Sequence, residues 1–293
     1  ATVSGGNSNI ASATSSAISG GINNTASGDV ATVAGGVANT ASGNVSTVAG
    51  GEDNEASGDI STVAGGSTNT ASGFLSTVGG GFYNRASEEG STVGGGFINL
   101  ATGVRSTVGG GHGNMASGWS STVGGGWENV ATGDASTVAG GQYNSASGEY
   151  STISGGYTNE ASGYASTVSG GRLNIASGNY SFAAGLSAND GDNDLVFVWD
   201  DGSGSDASDP NTFNVNASGG ILLNGAVLHA SDRNMKDDFT DISTQEILDK
   251  VVGMPITSWR FKSEDNSVRH IGPVAQDFME TFGYGLDDKH ITA

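Results

Sequence analysis

The sequence predicts a mainly β protein: a parallel β-solenoid, or β-roll, over residues 1–189, a β-rich neck over residues 190–230 and a small α+β domain over residues 231–293. Three observations support this prediction. A 15-residue frame repeats without insertion through the first two-thirds of the chain. Aromatic residues make up 7% and charged residues 14% of the chain, too few for a large conventional core. Lysine occurs only beyond residue 231, where the composition changes.

The repeat is visible when residues 46–60, STVAGGEDNEASGDI, are written above residues 61–75, STVAGGSTNTASGFL. An asparagine returns every 15 residues from Asn9 to Asn189. A Val or Ile precedes it by six residues, except in the last copy, where that position is Ala183. A fixed period is the signature of stacked repeats, and 15 residues are too few for a pair of helices. We therefore expect about thirteen coils of a β-solenoid.

Each coil is predicted to contain two short strands and two corners. Ser-Thr-Val is typical of a strand whose Val points inward, and Gly-Gly of a corner that needs positive φ. The Asn and the Ala-Ser-Gly after it give the second strand and corner. Equivalent residues of adjacent coils would lie about 4.8 Å apart, so the asparagines would form a ladder that exchanges amide hydrogen bonds.

Composition excludes several classes of function. A formal net charge of -20 argues against a nucleic-acid partner, because phosphate binding needs clustered Lys and Arg. No cysteine is present, and no apolar run approaches the roughly 20 residues of a membrane-spanning helix, so no membrane insertion is expected in this segment. The glycines lack the contexts of nucleotide-binding loops, and the four histidines lack metal-ligand spacing. No metal or cofactor is predicted.

The interior of each coil would hold one Val and one or two Ala, which is little apolar surface for a monomer, so association of chains is expected. The frame S-T-V-x-G-G-x-x-N-x-A-S-G resembles the head repeats of YadA-like trimeric surface adhesins, and the resemblance covers residues 1–189. It implies a left-handed β-roll assembled as a homotrimer. The repeats of that family are usually shorter than 15 residues, which is a departure.

An aromatic stripe occupies the variable positions between Gly-Gly and Asn. Residues in register one coil apart are close enough to touch, so the stripe should run along one edge of the solenoid. Two interpretations are open: a surface that binds a host glycan or a protein receptor, and a stacking ladder that packs against a neighbouring subunit. The candidate residues are Phe82, Tyr83, Phe97, Trp127, Tyr143 and Tyr157, with Trp119 and Tyr164 just after Ala-Ser-Gly.

The neck is predicted to contain strands at 195–199, 212–215 and 221–223. Its acidic residues suggest a calcium site, but they lack the Gly at position 6 and the distal Glu of an EF-hand loop. We therefore expect solvated acids in turns, with a cation site as the alternative. The residues are Asp190, Asp192, Asp194, Asp200 and Asp201.

The C-terminal region has the pattern of two helices and a strand. Ser243 and Glu246 form a capping box, which predicts a helix over 244–252. Residues 256–262 are typical of a strand, and residues 274–282, after Pro273, of a second helix.

Two motifs in this region carry a second resemblance. Ser231-Asp232-Arg233-Asn234-Met235-Lys236 and the run RHIGPVAQDF at 269–278 resemble the endosialidase-type intramolecular chaperone, the self-cleaving C-terminal domain of many phage tailspikes and fibres. The resemblance covers residues 231–293. It implies a domain that trimerises, assists folding of the β-rich part upstream and then cuts the chain between Ala230 and Ser231. It also implies that Ser231 is the nucleophile and Lys236 its activating partner.

The implied chemistry has a simple requirement. The Ser231 hydroxyl can attack the preceding carbonyl when another group takes its proton, and Lys236 can take it only as the neutral amine. Burial or a nearby positive charge, such as Arg233, lowers a lysine pKa in that direction. Members of the family continue into a long C-terminal helix, so we expect self-cleavage to be impaired in a chain that ends at Ala293.

These observations favour a trimeric fibre, extracellular on a phage tail or on a bacterial surface, that is matured by its own chaperone. The alternative is a bacterial trimeric adhesin that binds host glycan or matrix through the aromatic stripe. A glycan-degrading enzyme is disfavoured, because the coils contain few carboxylates and no repeated pair at glycosidase separation.

Overall fold

The computed structural model describes residues 1–204, 207, 209–219, 221, 239–260, 262 and 265–283. The chain divides into two compact units, Ala1–Leu222 and Leu223–Ala293. The first unit is a parallel β-solenoid of about 14 turns. The second unit contains, in its described part, two helices and a two-stranded sheet. The predicted fold class, mainly β with a small α+β domain, is confirmed.

The solenoid consists of two parallel sheets, A and B, formed by alternate strands of the chain. The strands of sheet A are β1 (Thr2–Val3), β3 (Ala17–Ile18), β5 (Thr32–Val33), β7 (Thr47–Val48), β9 (Thr62–Val63), β11 (Thr77–Val78), β13 (Thr92–Val93), β15 (Thr107–Val108), β17 (Thr122–Val123), β19 (Thr137–Val138), β21 (Thr152–Ile153), β23 (Thr167–Arg172), β25 (Phe182–Leu186), β26 (Phe197–Asp201) and β27 (Phe213–Asn216). The strands of sheet B are β2 (Ile10–Ala11), β4 (Thr25–Ala26), β6 (Thr40–Ala41), β8 (Glu55–Ala56), β10 (Thr70–Ala71), β12 (Arg85–Ala86), β14 (Leu100–Ala101), β16 (Met115–Ala116), β18 (Val130–Ala131), β20 (Ser145–Ala146), β22 (Glu160–Ala161) and β24 (Ile175–Ala176).

Hydrogen bonds between successive coils hold the solenoid together. The Thr62 N–H donates to the Ser76 carbonyl of the next coil at 3.0 Å. Val63 in sheet A and Ala71 in sheet B are completely buried, whereas Thr62 is half-buried and faces outward. The same alternation recurs in neighbouring coils because one-residue register is fixed when only one face of a strand is apolar. The predicted inward Val and its short strand are confirmed.

The asparagine ladder is also confirmed. In the coil of Asn84, the side-chain Nδ2 donates to the carbonyls of Gly80 at 2.9 Å and Gly96 at 2.8 Å, and to Asn69 Oδ1 at 3.2 Å. Its Oδ1 accepts from the backbone N–H of Asn99 at 3.0 Å. Each asparagine is therefore a buried bracket that joins its own corner to the coils on both sides. Such groups are stable in the interior only because they are hydrogen-bonded.

The corners include residues other than glycine with positive φ, a feature that the repeat pattern does not predict. Tyr83 and Leu75 both have φ of 57°. The left-handed conformation costs an L-residue about 1–2 kcal/mol. The Tyr83 N–H donates to the Ser67 carbonyl at 3.1 Å, and the Leu75 N–H to the Asp59 carbonyl at 3.0 Å. Stacking on the preceding coil therefore holds these residues in their unusual conformation.

The frame shortens by one residue in the last coil, because Gly171 pairs with Gly185. Ala188, not Asn189, consequently occupies the ladder position, and its N–H donates to Asn174 Oδ1 at 2.9 Å. The prediction that Asn189 is the last member of the asparagine ladder is therefore wrong, and the ladder ends at Asn174. A fixed count of 15 cannot reveal a deletion that the irregularity in β23 absorbs.

Asp190 closes the end of sheet B. It is completely buried, and its carboxylate accepts hydrogen bonds from Ser177 Oγ at 2.7 Å and from the Gly178 N–H at 2.8 Å. In the preceding coil the equivalent Gly163 N–H donates to the Ala176 carbonyl. The carboxylate thus replaces the strand that sheet B lacks beyond β24. The prediction that Asp190 is a solvated acid in a turn is wrong.

The neck strands continue sheet A, because β25, β26 and β27 pair in parallel with one another and with β23. The strands predicted at 195–199 and 212–215 are confirmed with a shift of one or two residues. The strand predicted at 221–223 lies outside the described residues except for Ile221. A parallel extension keeps the ladder of backbone hydrogen bonds unbroken into the neck.

Two further aspartates of the neck serve as hydrogen-bond acceptors. Asp200 is buried and accepts from the Gly202 N–H at 2.6 Å and from Asn216 Nδ2 at 2.8 Å. Asp201 accepts from the side chains of Ser203 and Ser218. The prediction of a solvated acid is wrong for Asp200 and holds for the exposed residues at positions 192 and 194.

The second unit contains α1 (Thr244–Gly253), β28 (Thr257–Trp259), β29 (His270–Gly272) and α2 (Ala275–Phe282). Ser243 caps α1, and its hydroxyl accepts from the Glu246 N–H at 3.3 Å, as the capping box predicts. Both predicted helices and the predicted strand are confirmed. Strand β29, which pairs antiparallel with β28, is an addition that the pattern does not predict.

Candidate functional site

Four aromatic side chains stack along one edge of the solenoid and form what we call the aromatic ladder: Phe82, Phe97, His112 and Trp127. Each is the residue that follows the Gly-Gly corner, and parallel β-bridges pair each one with its neighbours in the adjacent coils. The ring centroids are 5.5, 5.0 and 4.1 Å apart in that order, with interplanar angles of 24° or less. The predicted stacking of this stripe is therefore present.

Stacking leaves the faces of the inner rings covered. The rings of Phe97 and His112 each lie between two others, so a ligand can reach their edges but not their faces. Stacked or edge-to-face ring pairs contribute about 0.5–1.5 kcal/mol beyond the area that they bury. The geometry of the aromatic ladder thus favours a packing role, and a ligand that needs a free ring face would bind elsewhere on this edge.

Gln142 interrupts the ladder, and beyond it the tyrosines are arranged differently. Tyr143 and Tyr157 meet edge to face at 5.8 Å, and the Arg172 guanidinium lies 5.5 Å from the Tyr157 ring centroid. Both tyrosines are more than 40% exposed. Tyr83, in the same row as Tyr143, contacts Phe82 edge to face at 4.4 Å.

A groove of about 200 Å³, which we call the tyrosine groove, opens beside these tyrosines. It is lined by Tyr143, Ser145, Thr158, Asn159, Glu160, Leu173 and Ile175. The lining combines an aromatic ring and aliphatic side chains with two hydroxyls and one carboxylate. Small-ligand sites usually pair an apolar wall with a few polar groups that fix orientation. This composition suits a polyhydroxylated ligand, which offers both C–H faces and hydroxyl groups.

A second row of tyrosines lies on the opposite edge. Tyr150, Tyr164 and Tyr180 meet edge to face at 5.5 and 5.4 Å. Partial desolvation, followed by the neighbouring Tyr180, raises the pKa of Tyr164. The sequence analysis identifies Trp119 and Tyr164 here but misses Tyr150 and Tyr180. The signal was present, because these two residues are 30 positions apart, twice the period.

The sequence-predicted cleavage site, Ala230 and Ser231 with Lys236, lies outside the described residues. Part of the second motif is described. Arg269 Nε donates to Ser258 Oγ at 3.1 Å, and Arg269 also donates to the Ser258 carbonyl at 2.6 Å. The motif 269–278 therefore builds β29 and the start of α2 and joins them to β28.

Trp259 and His270 stack across the β28–β29 pair with ring centroids 4.7 Å apart. Neither helix of this unit contains a buried residue, and Val252 and Ile271 are 79% and 81% exposed. Apolar side chains that remain exposed in a small domain usually mark a surface for association.

Comparison with known families adds two matches. Residues 231–284 match the family model described as chaperone of endosialidase. Residues 46–58, 76–87 and 151–163 match the model described as ubiquitous surface protein adhesin repeat. No curated protein matches the chain. The two resemblances seen in the sequence are thereby confirmed, and the chain combines adhesin-type repeats with a chaperone-of-endosialidase domain.

Two further observations concern the described part of the chain. Its helices α1 and α2 lack the length and apolar character needed to cross a bilayer. Within the same residues, no three His, Cys, Asp or Glu side chains come together as a metal ion would need.

Proposed function

We propose that the chain is one subunit of a homotrimeric surface fibre, on a phage tail or a bacterial cell. Its C-terminal domain would assemble the trimer as an intramolecular chaperone and then cut the chain between Ala230 and Ser231. The observation that carries the proposal is the presence in one chain of adhesin-type repeats and a chaperone-of-endosialidase domain. Both belong to proteins that act outside the cell or on a virion, so an extracellular location follows.

The exposed apolar surface of the second unit supports trimerisation. Helix α1 exposes Leu248, Val251 and Val252, and β29 exposes Ile271. A domain of this size gains stability when copies cover such side chains, at about 25 cal/mol per Å² of apolar area. The thin interior of the solenoid, one Val and one Ala column, points in the same direction.

The uniformity of the coils explains the need for a chaperone. Thr62 pairs with Thr77, and Thr77 pairs with Thr92, in the same geometry. A chain displaced by one coil against its neighbours would bury almost the same surface, so the repeats alone do not define their register. A trimerising domain at one end holds three chains level before the coils stack.

The proposed cleavage uses Ser231 and Lys236. The Ser231 Oγ attacks the carbonyl carbon of Ala230 while neutral Lys236 takes the hydroxyl proton and passes it to the departing Ser231 nitrogen. The Ala230–Ser231 amide breaks and an ester forms in its place. Water then hydrolyses the ester, which leaves a carboxylate on Ala230 and restores the hydroxyl of Ser231.

The test measures fragment masses of a chain that continues beyond Ala293 into the helix that the family resemblance implies. Ser231→Ala and Lys236→Ala should stay uncut while still forming trimers. Lys250→Ala is the matched control, since Lys250 pairs with Glu246 on α1 at 3.2 Å and has no proposed part in the chemistry. This control should be cut like the unaltered chain. A break at another bond, or cleavage of Ser231→Ala, would overturn the assignment.

A second candidate function, receptor binding by the aromatic edge, is favoured by the tyrosine groove. The sequence-predicted stripe comprises Phe82, Tyr83, Phe97, Trp127, Tyr143 and Tyr157, and the last two combine exposed rings with polar neighbours. We propose a host glycan as the ligand, with a protein receptor as the alternative outcome.

The test is glycan-array binding by the intact chain and by Tyr143→Ser, with Tyr180→Ser on the opposite edge as the control. Loss of glycan binding in Tyr143→Ser alone supports the proposal. Binding that survives in Tyr143→Ser contradicts it. Retention of protein ligands alone on a matrix-protein array would favour the receptor alternative.

A further inference from the structure

The four long surfaces of the solenoid differ in charge. Within residues 1–174, all of which the structure describes, charged side chains occupy both edges and the outer face of sheet B. They comprise Glu52, Asp53, Glu128 and Arg172 on the Gly-Gly edge, Glu55, Arg85 and Glu160 on sheet B, and Asp29, Asp59, Glu88, Glu89, Arg105, Asp134 and Glu149 on the other edge. The outer face of sheet A has no charged side chain over the same residues.

We call this outer face of sheet A the threonine face. From Thr32 to Thr167 its outward column is threonine in every coil, and the next outward column contains only Ala, Gly or Ser. The threonines are half-buried in the single chain. The face is therefore flat, uncharged and made of short side chains, so another backbone can approach it closely.

The same face becomes apolar toward the neck. Phe182, Phe197 and Phe213 continue the threonine column in register and stack with centroids 4.7 and 4.5 Å apart. Phe213 is 73% exposed, and Trp199 on the same strand as Phe197 is 38% exposed. An exposed row of aromatic side chains is a recurrent mark of a protein–protein interface.

We propose that the threonine face is the surface through which the copies of this chain pack together along the solenoid. The inference rests on the proposed homotrimer and assigns its contact. The partner is a second copy of the same chain, because identical chains with a net charge of -20 repel one another wherever their acids meet. Two like charges 4 Å apart interact by about 4 kcal/mol at a protein surface.

Hydroxyl chemistry makes the face self-complementary. A threonine hydroxyl both donates and accepts, so a column of threonines can pair with an identical column. Carboxylates accept only, and they would remain unpaired against their own copies. The other three surfaces each carry such carboxylates, Glu52, Glu55 and Glu88 among them, which leaves the threonine face as the surface that identical copies can share.

The test uses single cysteines in a chain that has none of its own. Thr77→Cys places a thiol on the threonine face, in β11. Thr70→Cys, in the preceding strand β10, places the same thiol on the outer face of sheet B and is the matched control. Both threonines are half-buried and occupy the outward position of a two-residue strand, so both variants should fold alike. A short bis-maleimide is then added to the intact assembly.

We expect covalent dimers from Thr77→Cys in most chains and only background from Thr70→Cys. A native mass that corresponds to three chains is required first, because a monomer would refute the homotrimer as well as this contact. A trimer that cross-links through Thr70→Cys, or through neither variant, would refute the threonine face and leave the homotrimer standing.

A second measurement covers the case in which the thiols are poorly placed for reaction. Thr77→Glu brings like charges of three chains together on the proposed contact, whereas Thr70→Glu copies the Glu that sheet B already carries at residue 55. Thermal dissociation of the assembled fibre should fall clearly in Thr77→Glu and little in Thr70→Glu. Equal melting temperatures of the two variants would contradict the proposal.

Discussion

Replacing Asn84 by alanine should destabilise the solenoid strongly, because one side chain serves three coils. The substitution removes the donors to the Gly80 and Gly96 carbonyls and the acceptor for the Asn99 N–H. The Gly96 carbonyl keeps a second donor, the N–H of Phe82 at 2.9 Å. The Asn99 N–H, in contrast, is left without an acceptor inside a completely buried residue.

The magnitude follows from these contacts. A buried group left without a hydrogen bond costs about 1–3 kcal/mol, and the lost contacts of the side chain add to it, so we expect a loss of about 2–4 kcal/mol per chain. Asn84→Asp should be worse, because a carboxylate cannot donate to the two glycine carbonyls and would be a buried charge.

The matched control is Ser76→Ala. Ser76 is as completely buried as Asn84, but its hydroxyl has no hydrogen-bond partner. Its removal leaves no neighbour unsatisfied, so we expect a change below about 1 kcal/mol. Denaturant unfolding rates and hydrogen exchange at the Asn99 amide measure both variants. A cost in Ser76→Ala equal to that in Asn84→Ala would refute the assignment of stability to the asparagine ladder.

Three further predictions concern other parts of the chain. Gly36→Ala should lower the thermal midpoint clearly, since Gly36 has φ of 92° and a Cβ there would overlap the next coil's backbone, whereas Gly35→Ala should be tolerated, since no atom lies within 4 Å of that site. Hydrogen bonds from Ser203 and then Ser218 hold the pKa of Asp201 below its ordinary value of 3.8, so the stabilisation is present above that pH and is lost as the pH falls through the lower folded-state pKa. Hydrogen exchange of the neck should rise in that acidic range, and Asp201→Asn should exchange fast at all pH values. Phe97→Ser should lower the thermal midpoint, because two ring contacts of about 0.5–1.5 kcal/mol each are lost, and an unchanged midpoint would refute the packing role of the aromatic ladder.

The repeat gives the solenoid almost completely, because its period and its chemistry agree. An inward Val every 15 residues, a buried Asn and a Gly-Gly corner leave a single way to stack the coils, and the structure follows it. The capping box at Ser243 is equally local and equally predictive. Such features depend on neighbours in sequence or on identical residues one period apart.

Features that depend on irregular contacts could not be predicted. The deletion between Gly171 and Gly185 is absorbed by the irregular pairing of β23, so Asn189 looks like a repeat residue and is not one. Asp190 resembles a turn acid, yet the missing strand of sheet B draws it into the interior. For the aromatic ladder, sequence identified the row, but only ring geometry shows which faces are covered.

The most direct test of the assembly is the native mass of the intact chain compared with that of a chain ending before Ser231. With the C-terminal domain, the mass should correspond to three chains. Without that domain during synthesis, residues 1–189 should yield aggregates or chains without the protection of the Asn ladder amides. A stable, folded monomer of the intact chain would contradict the proposed trimer and, with it, the role of the chaperone domain.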